Sequence, residues 1–299
     1  MTGRHALVLG GGGVAGIAWM TGLLTGLAEA GDDLAGADLI IGTSAGANVA
    51  AMLGSGLPLA ELFARQAEPS RQSAEIMAEL NIVRFAAEIG GYLAGARTPL
   101  DIQRRTGEYA LAARTVPETV RRAVIEQRLP AHDWPARRIQ VTAVDAETGE
   151  LRVFDSASDA SLVDAVAASS AVPGIWPPVT IGGSRYIDGG VRSADNADLA
   201  VGYPRITVIS PTGFQSLIPS SLPLRQAVAR LRAAGSAVTV VVPDGPSAAA
   251  IGTNALDPAT RTPAARAGRA QGQAGLTANA AARRGRTLPV LAEELGEPG

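Results

Sequence analysis

Twice within its first 54 residues the chain runs from a short apolar segment through a glycine-rich turn into an apolar helix. In the first unit residues 6–9 are a continuous apolar run, four glycines occupy 10–13, and residues 14–30 are good helix formers with apolar side chains on most faces. Gly31 follows, where a C-terminal cap belongs. In the second unit residues 38–41 lead through G-T-S-A-G into a helix over 47–53. Short apolar runs bounded by glycine are the pattern of strands buried on both faces, and strands joined through helices lie parallel in one sheet. The expectation is an α/β protein with a parallel sheet.

The rest of the chain fits that class. Residues 58–129 carry apolar side chains at helical spacing, punctuated by Pro69, Gly90, Gly91, Pro99 and Pro117 into short helices. Strands are expected at 139–144 and 151–154 as a hairpin, with a second hairpin-like piece around Gly182 and Gly183 that ends at Asp188. A helix over 161–170 precedes the second hairpin, and two central strands, 206–210 and 237–242, flank a helix over 224–234. Residues 1–245 read as one catalytic domain, with 58–129 as a helical insertion forming a cap or acyl channel. Residues 246–299, rich in Ala, Gly and Arg, read as a C-terminal segment with one surface helix near 263–284 and a frayed end.

Composition narrows the function. With 46% hydrophobic but only 4% aromatic residues, the chain suits helices packed closely on a sheet and not a β-sandwich. The net charge of -2 and scattered basic residues give no electrostatic footprint for nucleic acid or an anionic bilayer. The lack of cysteine excludes a disulfide scaffold, a thiolate nucleophile and Cys-based metal sites, and is consistent with a cytoplasmic protein. The uncharged stretch between Arg4 and Glu29 is interrupted by seven glycines, so it reads as strand, loop and helix and not as a signal peptide or membrane span. Nothing in the sequence sets an oligomeric state.

The glycines at 11, 13 and 16 satisfy G-x-G-x-x-G, which raises an NAD(P)-binding oxidoreductase as one reading. That reading needs an acidic residue at the end of the second strand. Asp32 and Asp33 precede the strand, and its end is Gly42-Thr43-Ser44. The second motif is G-x-S-x-G between a strand and a helix, the setting of a nucleophile elbow: Gly42 and Gly46 leave room for a tight turn that projects Ser44. Glycine and serine are also ordinary turn residues, so the motif alone would not decide.

A serine nucleophile needs a base. Of the two histidines, His5 opens the first strand at the end away from the glycine loop and His132 sits in a Pro-rich connector, so a histidine triad is not expected. Asp188, in Y-I-D-G-G-V, is the carboxylate candidate; to accept a proton it must be desolvated, for which Trp176, Tyr186 and Ile187 are the nearby apolar residues. The glycine loop at a helix N-terminus offers backbone N–H groups to a developing oxyanion as readily as to a pyrophosphate.

Four blocks, G-G-G near the N-terminus, G-T-S-A-G, A-S-x-x-x-P at 168–173 and D-G-G at 188–190, resemble in content and order the patatin-like phospholipases, lipid acyl hydrolases with a Ser-Asp dyad. The resemblance spans about residues 5–245. It implies a three-layer α/β/α sandwich with a central, largely parallel sheet, Ser44 as nucleophile, Asp188 as base, and Gly11, Gly12 and Gly13 as the oxyanion loop. It implies no cofactor and no metal in the dyad chemistry, and a lipid or other acyl ester as substrate, with transient contact at a membrane surface left open. One position departs: members commonly carry a basic residue where this chain has Ala15. That departure favours a neutral ester or lysolipid, and it admits a third reading, a patatin fold that binds lipid without turning it over.

Overall fold

The computed structural model describes residues 4–78, 82–214 and 222–277. Five strands lie parallel: β1 (His5–Leu9), β2 (Leu39–Thr43), β3 (Ile139–Asp145), β7 (Arg205–Ile209) and β8 (Ala237–Val241). Three more, β4 (Leu151–Phe154), β5 (Val179–Ile181) and β6 (Ser184–Asp188), join antiparallel through hairpins. The hydrogen-bonded path is β5–β6–β3–β2–β1–β7–β8, with β4 attached to β3.

Alternation along β1 divides the molecule into layers. Leu7 and Leu9 pack in one apolar cluster with α1 (Gly13–Glu29), α2 (Ala45–Gly54), α3 (Leu59–Ala67) and α7 (Leu162–Ser169). Ala6 and Val8, on the other face, pack against α8 (Leu224–Ala233). A third cluster joins Val144 and Ile187 of the sheet to Tyr109 and Ala110 of α5 (Pro99–Ala112) and Ile89 of α4 (Ile82–Leu93). Helices thus cover both faces, an α/β/α sandwich around a mixed, largely parallel sheet. The remaining helices are α6 (Glu118–Arg128), α9 (Gly245–Ile251) and α10 (Arg261–Gln273).

The register at β3 places the site. Residues Val141 to Val144 pair with β4 along one edge. The other edge is therefore shared: β2 takes it as far as Thr43 opposite Thr142, and β6 takes it from Asp188 opposite Ala143. Because β2 runs parallel to β3 and β6 antiparallel, their C-terminal ends meet head to head at adjacent residues of β3. The turn after Thr43 and the last residue of β6 must converge.

Three expectations need correcting. Gly90 and Gly91 lie inside α4; a Cβ at either would meet nothing within 4 Å, so they lower helix propensity at exposed positions without breaking the helix. The run at 237–242 forms β8, which among the described residues pairs only with β7 and so lies at one edge of the sheet, and is not a central strand. The C-terminal helix is not a surface appendage: α10 lies tightly along α1, where Gly22 and Gly26 approach the carbonyls of Ala265 and Arg269, and Gly268 and Gly272 approach those of Trp19 and Leu23. Trp19 Nε1 donates to Gln271 Oε1 at 3.1 Å across this buried seam. The expected frayed end, 278–299, lies outside the described residues. Among the described residues no helix is long and apolar enough to cross a membrane.

Candidate active site

Ser44 sits between β2 and α2 with φ 53° and ψ -113°, a conformation costly for a residue with a Cβ. The turn is held by its neighbours. A Cβ at Gly42 would lie 2.6 Å from the Ala47 Cα and the Gly46 carbonyl oxygen, and one at Gly46 would overlap the Leu9 carbonyl, so the sharp turn from β2 into α2 beside the end of β1 requires both glycines. The Ser44 N–H donates to Ser169 Oγ at 2.8 Å, and its carbonyl accepts from Asn48 Nδ2 at 3.1 Å.

Asp188 lies where the β3 register sends it. Its N–H donates to the Ala171 carbonyl at 3.0 Å, and its Oδ1 accepts from Gly190 N–H at 2.7 Å. Burial pushes its carboxyl up to about 6, against hydrogen bonds from the Ser44 hydroxyl and the Gly190 N–H, which lower it. Asp188 therefore sits in a desolvated setting next to the Ser44 turn. Of the residues expected to desolvate Asp188, Trp176 lines the pocket beside Ser44, whereas Tyr186 packs edge-on against Phe154 and Ile187 belongs to the cluster with Val144.

The glycine loop runs past the same point. A Cβ at Gly11 would stand 3.6 Å from the Ser44 Cβ, and Gly46 N–H donates to the Gly10 carbonyl at 3.0 Å, so loop and elbow are tied together. The three glycines are not equivalent. Gly11 N–H is spent on the Ala194 carbonyl at 2.8 Å. No bond among the described residues engages the N–H groups of Gly12 or Gly13, and Gly13 takes φ +62°, which brings the loop against Ala255 and Leu256.

Ala15 is fully buried, its N–H donates to the Ala255 carbonyl at 3.0 Å, and its side chain belongs to the apolar core. A basic side chain at that position would have no room in this packing. His5 is buried against Thr207, Nε2 to Oγ1 3.0 Å, with burial holding it down at about 4, and exposed His132 meets the Glu126 carbonyl, so neither joins the site. Asp32 accepts from Leu276 N–H and Asp33 from Ala35 N–H, local roles unlike that of a ribose-binding acid.

Several residues here were not singled out in the sequence. Asn196, buried with φ 47°, donates through Nδ2 towards Thr43 Oγ1, Thr142 Oγ1 and the carbonyls of Gly189 and Ser193, lacing the ends of β2 and β3 to the loop after Asp188. Asp195 is buried beneath Gly10 and raised by burial to about 7, offset by a hydrogen bond from Ser210. A small cavity of about 20 Å³, room for about one water, is bounded by Ser44, Gly13, Glu75, Arg121, Arg128 and Trp176 among others.

An α/β sandwich carrying a serine elbow, a buried carboxyl partner and a glycine loop defines the class of serine-dependent hydrolase folds. The patatin-like phospholipase family model matches residues 7–201, and the chain belongs to that family. Among solved structures, VipD from Legionella pneumophila aligns with a TM-score of 0.45 and 13% identity over 93% of this chain and 67% of that one. The type III effector protein ExoU aligns with a TM-score of 0.41 and 16% identity over 93% of this chain; the chain spans about half, 53%, of ExoU's length. Comparison with curated proteins gives no match. Family membership supports a hydrolase or esterase activity class and an association with lipid substrates.

Proposed function

We propose that the protein is a serine acyl hydrolase that cleaves lipid acyl esters through Ser44 and Asp188. The observation that carries this reading is the convergence of the Ser44 turn with Asp188 at adjacent residues of β3, where burial raises the Asp188 carboxyl to about 6. An ordinary carboxylate near ~3.9 is a feeble base, and one raised by two units is closer to what a hydroxyl proton needs at neutral pH.

In the first half-reaction Asp188 accepts the Ser44 proton as Oγ bonds to the ester carbonyl carbon. The carbonyl oxygen becomes an oxyanion, met by the N–H groups of Gly12 and Gly13 at the start of α1. Collapse breaks the ester C–O bond, and the leaving alkoxide takes the proton from Asp188. In the second half Asp188 accepts a proton from water, whose oxygen attacks the acyl-enzyme; collapse releases the carboxylic acid and returns the proton to Ser44. Gly11 takes no part as a donor, since its N–H is already engaged by the Ala194 carbonyl.

Hydrolysis of a p-nitrophenyl acyl ester tests the dyad. Ser44→Ala and Asp188→Asn are each expected to lower kcat/KM by at least about 10³-fold with unchanged circular dichroism, and retention of activity by either variant rejects it. A fluorophosphonate probe that labels the protein but not the Ser44 variant separates this function from lipid binding without turnover.

A further inference from the structure

Among the described residues β2 and β6 are each hydrogen-bonded to β3 and not to one another. Thr43 stands opposite Thr142 and Asp188 opposite Ala143, so the ladders tie each strand to β3 and leave the gap between the two strand ends to other contacts. That gap separates nucleophile from base, because Ser44 follows Thr43 and Asp188 ends β6. One side chain crosses it. Asn196 Nδ2 donates towards Thr43 Oγ1 at 3.1 Å and towards the Gly189 carbonyl at 3.1 Å, the residue before Ser44 and the residue after Asp188. The same nitrogen reaches Thr142 Oγ1 at 3.2 Å and the Ser193 carbonyl at 2.9 Å. Two N–H groups are thus shared among four oxygens drawn from β2, from β3 and from the loop after β6.

Such an amide holds its partners only if it is itself held. Asn196 Oδ1 accepts from Arg192 Nη1 at 2.7 Å, and Asp198 clamps the same guanidinium with contacts of 3.0 and 2.7 Å. A guanidinium carries donors alone, so it fixes which end of the amide faces the carbonyls. The backbone is fixed as well: the Asn196 N–H donates to Ser193 Oγ at 3.2 Å, its carbonyl accepts from Leu199 N–H at 3.2 Å, and its φ of 47° lies in the left-handed region that asparagine tolerates. Gly189 lies directly on β3, since a Cβ there would stand 2.4 Å from Thr142 Oγ1. Asn196 itself is fully buried.

We propose that Asn196 is a positioning residue for the reaction: its amide N–H groups set the separation of Ser44 from Asp188, and Arg192 with Asp198 holds that amide in place. The assignment rests on the acyl hydrolase reading of the site. Asn196 acts through Thr43 and Gly189 and not on the reacting atoms, and it matters because a misplacement of about 1 Å at a reacting pair can cost about 10²-fold in rate.

The test starts with Asn196→Gly, which removes the amide and keeps the left-handed backbone, a conformation glycine adopts without steric cost. With a p-nitrophenyl acyl ester its kcat is expected to fall at least about tenfold while KM stays within about threefold. The rate constant for fluorophosphonate labelling of Ser44 is expected to fall by a similar factor, because both readouts need Ser44 held against Asp188. Asn196→Asp keeps the shape but turns oxygen in place of N–H towards the Gly189 and Ser193 carbonyls, and is expected to lose at least as much. Arg192→Gln loosens the amide from its far side and is expected to lower kcat by about threefold. Leu27→Ala, in the last turn of α1 and away from the glycine loop, is the control: it lowers the melting midpoint by emptying a buried position and leaves kcat unchanged. A folded Asn196→Gly protein that loses less than tenfold in kcat has a structural residue at 196 and overturns the proposal. So does a rise in KM with kcat unchanged, which would place Asn196 in substrate binding, and so does an equal loss of kcat in Leu27→Ala. If neither Asn196 variant folds, an undiminished kcat in Arg192→Gln overturns it. An unaltered protein that neither hydrolyses the ester nor reacts with the probe rejects the hydrolase reading itself, whereas an active protein indifferent to Asn196→Gly rejects the positioning role alone.

Discussion

In the proposed mechanism Asp188 takes the part that a histidine takes in a triad, and its surroundings set the pH at which it can. Only the ionised form accepts the Ser44 proton, and burial holds the carboxyl protonated up to about 6. The profile of kcat/KM for a neutral ester is therefore expected to rise about tenfold per pH unit below 6 and to level above about 7; a profile flat from pH 4.5 to 8 would remove Asp188 from the base role. Both residues were legible in the sequence because glycines frame them, and glycine is informative where a turn leaves no room for Cβ. Arg121 was not legible. In E-T-V-R-R-A-V-I-E-Q-R it resembles any arginine on a solvated helix face, and its burial comes from Glu75 and Trp176, contacts that only the tertiary fold creates. Asn196 was hidden for the same reason: its hydrogen-bond partners are spread from Thr43 to Ser193.

At the scale of elements, local patterns gave the strands and helices reliably, and the assembly less so. The apolar runs and glycine turns marked β1, β2 and both hairpins because a buried strand and a tight turn each leave a local signature. Which edge of β3 each partner takes has no such signature, yet it is that shared edge which joins Thr43 to Asp188. The role of α10 was misread although a signal existed: Gly22 and Gly26 in α1 and Gly268 and Gly272 in α10 each repeat at four residues, the spacing that lets two helix ridges approach closely. Leucine at 268 would drive a side chain into the Trp19 carbonyl. Gly268→Leu is expected to destabilise by about 3 kcal/mol or more, read as a fall in melting midpoint of roughly 10 °C. A change within 1 °C would mean that the two helices do not pack in this way.

At the scale of the molecule, the family match ends at residue 201, but the site does not. The carbonyl of Ala255 holds the N–H of Ala15, Leu256 borders the cavity beside Gly13, and Arg261 completes the charge cluster around Glu75. Stability and site are joined most directly through Asp195, beneath Gly10, which burial raises to about 7. Below pH 4 both the folded and the unfolded chain hold its proton, and it contributes no difference. Between about 4 and 7 the unfolded chain releases the proton while the folded chain keeps it, so stability falls as pH rises, and above 7 the whole penalty is present. Three units of raised affinity correspond to on the order of 4 kcal/mol. Asp195→Asn removes this term while filling the same space. Asp188, of the same sign over about 4 to 6, and His5, of the opposite sign from 6.5 down to about 4, stay in both proteins and drop out of the difference. Urea unfolding is therefore expected to find the variant equal to the unaltered protein at pH 4 and more stable by a few kcal/mol at pH 8, with the gain opening between those limits. A gain independent of pH would instead assign the effect to packing against Gly10, and an Asp195 that is ionised throughout would give no gain at either end.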